Sequence, residues 1–152
     1  LCKFDRMPSK WSLNSRSNNT VEFIEKKLTF QDIEKISEVT EEVRMVGCKS
    51  TEWEEIGLLL AHKPNLRTLY LDKCNSGNQL CNCITDSKSL RSLTMSKFVA
   101  SVENCSVSEE GVEKLCCLHE LTYLNLSTLG VSMRQQRSHY GKPYRFVQYQ
   151  KE

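Results

Sequence analysis

The sequence predicts an α/β fold in which short strands alternate with helices. The first observation is an apolar frame, clearest in LRTLYLDKC from Leu66 to Cys74, where leucines at 66, 69 and 71 are followed three residues later by a cysteine. Its alternating centre is typical of a strand with one buried face. The second observation is that apolar residues recur at helical spacing between copies of the frame. The third is size, because 152 residues with 39% hydrophobic content suit one domain.

The frame recurs along the chain and therefore behaves as a repeat. Each copy is defined by two core positions two residues apart: Val21 and Phe23, Val43 and Met45, Leu69 and Leu71, Leu93 and Met95, Leu124 and Leu126. Successive copies begin 22, 26, 24 and 31 residues apart. We attribute the longest interval to a loop inserted at 97 to 104, after the fourth strand.

The first two connecting segments carry clear helix signals. Thr29 begins one pattern, in which Asp32 is placed as a capping-box partner. After the second strand, Ser50 or Thr51 is placed to cap another helix. The residues predicted to face inward from these two helices are Ile33, Ile36, Trp53, Ile56, Leu59 and Leu60.

The next two connecting segments differ in polarity. Residues 75 to 89 are unusually polar, so we expect a short or single-turn helix there. Ser108 is placed to cap a longer apolar pattern in SEEGVEKLCCL. The inward residues predicted for these segments are Leu80, Cys83 and Ile84, then Val112, Leu115, Cys116 and Leu118.

Residues 20 to 131 resemble leucine-rich repeats with alternating helices, of the ribonuclease-inhibitor-like and cysteine-containing types. The phrases PNLRTLYLDKC and CSVSEEGVEKL are similar to the C-terminal repeat arrays of NOD-like receptors. The resemblance implies a short right-handed solenoid, with parallel strands on its concave face and helices on its convex face. It also implies a non-catalytic, protein-binding or autoinhibitory module. The alternative is an ordinary α/β domain of unrelated strands and helices.

The eight cysteines allow two interpretations. An even number could form the disulfide framework of a secreted protein. In the repeat frame, however, Cys48, Cys74 and Cys105 fall at corners, where the family uses Asn or Cys to meet backbone groups. We therefore expect reduced, buried thiols and a cytoplasmic protein, with a mitochondrial location as the alternative. No apolar run is long enough for a membrane span.

The sequence offers little reactive chemistry. A zinc site would need Cys74, Cys81 and Cys83 with His62 or His119, but their spacing matches no familiar zinc pattern. Gly-rich phosphate loops, GxSxG and HExxH are all missing. We therefore predict no enzyme, no metal and no cofactor.

The two ends differ in composition from the repeats. Residues 1–19 read as an irregular lead-in or cap, with Trp11 and Leu13 available to cover the first repeat. Residues 132–152 read as a basic, aromatic tail or end cap, in which 144 to 149 would suit a final edge strand. The formal net charge is only +2, so the basic stretch 134–151 is the one candidate for nucleic-acid binding.

Side chains between the inward leucines should line up across parallel strands and form a binding face. The residues predicted to bind a partner protein there are Arg44, Thr68, Tyr70, Asp72, Thr94, Tyr123 and Asn125. Aromatic and charged anchors of this kind carry binding energy in interfaces. The leading hypothesis is an interaction module, such as the ligand-sensing or autoinhibitory part of an innate-immune receptor. The alternatives are a substrate-recognition subunit of a ubiquitin ligase, of the F-box type, and a small mitochondrial assembly or coupling factor.

Overall fold

The computed structural model describes residues 19–96, 107–127 and 146–148. Strands and helices alternate along most of this length. The elements are β1 (Thr20–Ile24), α1 (Phe30–Glu34), β2 (Glu42–Val46), α2 (Trp53–Ala61), β3 (Thr68–Asp72), α3 (Gly77–Ile84), β4 (Ser92–Ser96), α4 (Glu109–Leu115), β5 (Tyr123–Ser127) and β6 (Phe146–Gln148).

The six strands form one sheet in chain order, and every neighbouring pair is parallel. The predicted core positions are register partners, so Val43 lies between Val21 and Leu69. Leu93 likewise lies between Leu69 and Leu124. The five predicted strands are therefore confirmed as neighbours in one parallel sheet, and β6 falls inside the stretch predicted to form a final edge strand.

The core lies between one face of the sheet and the helices. Strand residues at the core positions alternate with half-buried neighbours, as a period of two requires. From the helices, Ile33, Trp53, Ile56, Leu80 and Leu115 are fully buried in the same cluster. Each such side chain contributes roughly 1.5–3 kcal/mol to folding.

Two of the predicted helix starts are confirmed. The backbone N–H of Thr29 donates to the Asp32 carboxylate at 3.0 Å, and this interaction forms half of a capping box. At the start of α4, the Gly111 N–H donates to the Ser108 hydroxyl at 3.4 Å.

The predicted cap of α2 is wrong. The helix begins at Trp53 with Glu52 at the N-cap. The Ser50 hydroxyl instead donates to the Leu28 carbonyl at 2.8 Å and accepts from the Glu52 N–H at 3.0 Å. The hydroxyl therefore ties two successive turns together, and the Glu52 carboxylate accepts from the Phe30 N–H at 2.8 Å.

The prediction for α3 is right in length and wrong in one inward residue. The helix is short, with eight residues, and it buries Cys81 together with Leu80 and Ile84. Cys83, predicted to face inward, is half-buried against Gly57 of α2. The close approach of α2 selects this rotation of the helix, which residue spacing alone does not reveal.

Several expectations fall on residues outside the described ranges. They are the lead-in with Trp11 and Leu13, the inserted loop at 97 to 104, the later corner at Cys105 and most of the segment 132–152.

Candidate protein-binding face

One face of the sheet carries the side chains that alternate with the core residues, and we call it the polar face. The register of β1 to β5 arranges it in three ladders. These are Thr20, Glu42, Thr68, Ser92 and Tyr123; then Glu22, Arg44, Tyr70, Thr94 and Asn125; then Ile24, Val46, Asp72 and Ser96. All seven predicted site residues lie on this face and are half-buried, so the sheet brings them together.

Arg44 and Tyr70 form the centre of the polar face. They are register partners on β2 and β3, and the guanidinium carbon lies 4.8 Å from the ring centroid. A cation–π contact of this kind contributes about 0.5–1 kcal/mol at an exposed site. Arg44 also lies 3.8 Å from a Glu22 oxygen and 3.7 Å from a Glu42 oxygen. One aromatic ring and two carboxylates therefore surround the Arg44 guanidinium.

Other polar side chains on this face bond to each other. The Ser96 hydroxyl donates to the Asp72 carboxylate at 2.9 Å. The Asn125 amide donates to the Tyr123 hydroxyl at 3.5 Å. The Asn125 oxygen is buried and accepts no hydrogen bond among the residues that the structure describes. These contacts fix the side chains in place, which lowers the entropy that a binding partner would have to remove.

The third ladder begins with two apolar residues, Ile24 on β1 and Val46 on β2. Ile24 is 45% exposed and its register partner Val46 is half-buried. Val46 follows Arg44 by two residues on β2 and lies on the same face of the sheet. The two apolar side chains therefore form a hydrophobic edge of the polar face.

The corner cysteines bond to the backbone as the repeat frame predicts. The thiols of Cys48 and Cys74 donate to the carbonyls of Phe23 and Met45, each at 3.4 Å. Hydrogen bonding to Cys48, together with burial, raises the pKa of the Cys74 thiol far above its usual range. Burial raises the pKa of Cys81 to about 12. All six cysteines in the described ranges are free thiols, and these two are poor nucleophiles.

The sequence-derived metal candidates are not assembled into a site. Cys74 and Cys81 are buried in the core, whereas Cys83 is half-buried. Burial and the nearby carboxylates of Glu54 and Asp86 raise the pKa of Cys83. Within residues 19–96 and 107–127, no three His, Cys, Asp or Glu side chains are grouped as metal ligands.

A cavity of about 590 Å³, which the sequence did not predict, lies at the strand exits of β1 to β3. We call it the corner pocket. Its lining residues are Glu25, Lys26, Lys27, Gly47, Lys49, Ser50, Thr51, Lys73 and Asn75. The signal that could have revealed it is a lysine one or more residues after each of three strands in the repeat frame.

None of the helices in the described part of the chain is both long and apolar enough to cross a membrane.

Comparison of the chain with protein-family models, with curated proteins and with solved structures found no significant match. The geometry of the polar face and of the corner pocket is therefore the basis for the proposals below.

Proposed function

We propose that the chain is a short leucine-rich-repeat solenoid whose polar face binds another protein and which has no catalytic role. The observation that carries this proposal is the common register of five parallel strands, which stacks unlike polar and aromatic side chains on one face. Stacking of equivalent strands, with buried apolar positions at a near-constant interval, supports a repeat architecture.

The composition of the polar face supports a protein partner over a small molecule. Tyr70 and Arg44 are the residue types enriched in interface hot spots. They lie within a field of hydroxyl and carboxylate groups that can form the polar rim of an interface. In this proposal the stacked pair is the anchor, and the neighbouring ladder residues exclude water.

The biological setting has three candidates. A ligand-sensing or autoinhibitory array of an innate-immune receptor is the leading one, on the repeat resemblance. A ubiquitin-ligase recognition subunit would be identified by an F-box in a longer parent chain. A mitochondrial assembly or coupling factor would be identified by cofractionation with mitochondrial membranes. Each setting uses the same polar face.

The experiment is an affinity capture from source-cell lysate with the wild-type chain and a Tyr70→Ala, Asp72→Lys variant. Mass spectrometry identifies the captured proteins. We expect specific partners to be lost from the variant, because the change removes the ring under Arg44 and reverses a charge on the same face.

The matched control is Leu58→Ala with Asp86→Lys. It also truncates a large side chain and reverses one aspartate charge, but both positions are exposed and outside the sheet. Circular dichroism should be unchanged in both variants. Equal capture by the wild type and the Tyr70 variant would reject the polar face as the binding surface.

A further inference from the structure

The corner pocket is built from three consecutive turns of the chain. Lys27 follows β1, Lys49 follows β2 and Lys73 follows β3. Lys27 and Lys49 are partners in an isolated parallel β-bridge, so their backbones are adjacent in neighbouring turns of the chain. The pocket therefore lies at the exit edge of the sheet, away from the centre of the polar face.

The pocket concentrates positive charge. Four lysines and one glutamate line it, a formal charge of +3, whereas the whole chain carries +2. The Lys26 ammonium is engaged by Asp32 at 2.7 Å. Lys27, Lys49 and Lys73 are exposed, and within the described residues none of their ammonium groups forms an ion pair or hydrogen bond. Three cations are therefore available to a ligand.

The walls of the pocket are fixed by hydrogen bonds. The Asn75 side-chain oxygen accepts from the Ser50 N–H at 2.9 Å and from the Trp53 indole at 2.7 Å. The Asn75 amide donates back to the Ser50 carbonyl at 3.2 Å. Because Trp53 is fully buried, these bonds connect the pocket wall to the core. The cavity is preformed, which reduces the ordering cost of binding.

Three residues that line the pocket have an unusual backbone conformation. Glu25, Gly47 and Lys73 occupy equivalent positions, one residue after each strand, and all have positive φ, at 47°, 65° and 55°. At Gly47, a Cβ atom would lie only 3.2 Å from the Glu25 side chain. Glycine therefore leaves space at the middle corner, between the two charged residues.

From this geometry we infer that the corner pocket binds a ligand carrying two or more phosphate groups. Its volume of about 590 Å³ falls in the range of roughly 300–1,000 Å³ that suits small-molecule ligands. Lysine ammonium groups bind phosphate as point charges, and three of them on separate corners match several phosphates better than one. A single carboxylate would leave most of the pocket charge unbalanced.

The test is isothermal titration of the full chain with inorganic tripolyphosphate at low salt. We expect binding that weakens as ionic strength rises, because the lysines are exposed. Lys49→Gln with Lys73→Gln should weaken it at least about tenfold. Lys35→Gln with Lys88→Gln is the matched control, since both lysines are exposed and lie outside the pocket.

Three results would overturn the inference. They are no binding of tripolyphosphate, equal loss in both double variants, and equal or tighter binding of a hexaglutamate peptide. Phosphatidylcholine vesicles carrying phosphatidylinositol bisphosphate form the second arm. Tighter binding to these vesicles, lost in the Lys49 and Lys73 variant, would identify a lipid headgroup as the source of the phosphates. Binding of tripolyphosphate with no vesicle binding would identify a soluble ligand.

Discussion

At the scale of single residues, the strand exits show how one backbone requirement is met by three different residues. The positions of Glu25, Gly47 and Lys73 all need a left-handed conformation. Glycine adopts it freely, whereas a side chain costs roughly 1–2 kcal/mol there. The corners at Glu25 and Lys73 are therefore strained, and each places a charged residue at the corner pocket.

Gly47→Ala should lower the free energy of unfolding by roughly 1–2 kcal/mol, because the new Cβ is strained and lies close to Glu25. Lys73→Gly should have the opposite effect and raise the free energy of unfolding by up to about 1 kcal/mol, because glycine adopts this conformation without strain. Urea denaturation of both variants beside the wild type measures the difference. An unchanged unfolding midpoint for Gly47→Ala would show that this corner is not restrained as described.

Asp32 gives the first turn of α1 a pH-dependent contribution. Burial raises the pKa of its carboxyl group, but hydrogen bonds from Lys26 and Thr29 outweigh burial and hold the pKa below its usual range. A lowered folded pKa means that the stabilisation is complete above the unfolded value of roughly 3.9 and is lost as the pH falls through the folded value.

Asp32→Asn should therefore cost about 1 kcal/mol at neutral pH, and the difference from wild type should shrink as the pH falls below roughly 4. Thermal or urea unfolding across this pH range measures it. Glu34→Gln is the control, since Glu34 is exposed on the same helix. A constant difference between Asp32→Asn and wild type at all pH values would contradict the assigned role.

At the scale of elements, the contact between α2 and α3 depends on a glycine. A Cβ atom at Gly57 would lie 2.9 Å from the Cys83 Cβ and 3.3 Å from a Leu80 methyl group. The two helices therefore pack more closely than any larger residue at 57 allows. This approach explains why Cys83 is half-buried between the helices while Cys81 faces the core.

Gly57→Ala should lower the free energy of unfolding by roughly 1–3 kcal/mol through overpacking, whereas the same change at an open helical site would raise it by up to about 1 kcal/mol. A double-mutant cycle with Cys83→Gly tests the contact, because removing the Cys83 Cβ should recover part of the loss. Additive effects would show that the two positions do not interact.

The strands and the starts of α1 and α4 were predictable from sequence, whereas the cap of α2 and the rotation of α3 were not, for physical reasons. A period of two fixes which side chains of Leu69, Tyr70 and Leu71 share a face, and a near-constant interval fixes which strands they meet. The cap of α2 depends instead on a bond from Ser50 to Leu28, 22 residues earlier in the chain. The rotation of α3 likewise depends on Gly57, which belongs to another helix.

Of the two candidate surfaces, the polar face was predictable from sequence and the corner pocket was not. All seven residues of the predicted binding face were identified from strand alternation alone, because the polar face follows directly from register. The corner pocket was missed, since its lysines follow three different strands and become neighbours only when those corners stack. The spacing of residues within one strand does not reveal which charged side chains meet when successive turns stack.

At the scale of the whole molecule, the structure separates two surfaces. The polar face carries the stacked Arg44 and Tyr70 and is proposed to bind a protein. The corner pocket carries the unengaged lysines and is inferred to bind phosphate groups. Tyr70→Ala changes only the polar face and Lys49→Gln changes only the corner pocket, so each single variant should leave binding at the other surface unchanged.

The measurement that tests the central claim most directly is site-specific photocrosslinking in source-cell lysate. A photoreactive phenylalanine analogue is placed at Thr94, half-buried on the polar face, or at Leu58, exposed on α2. Binding through the polar face predicts a discrete crosslinked partner from the Thr94 probe, lost on adding Tyr70→Ala, and none from the Leu58 probe. A partner crosslinked from Leu58 but not from Thr94 would contradict it and move the binding surface to the helices.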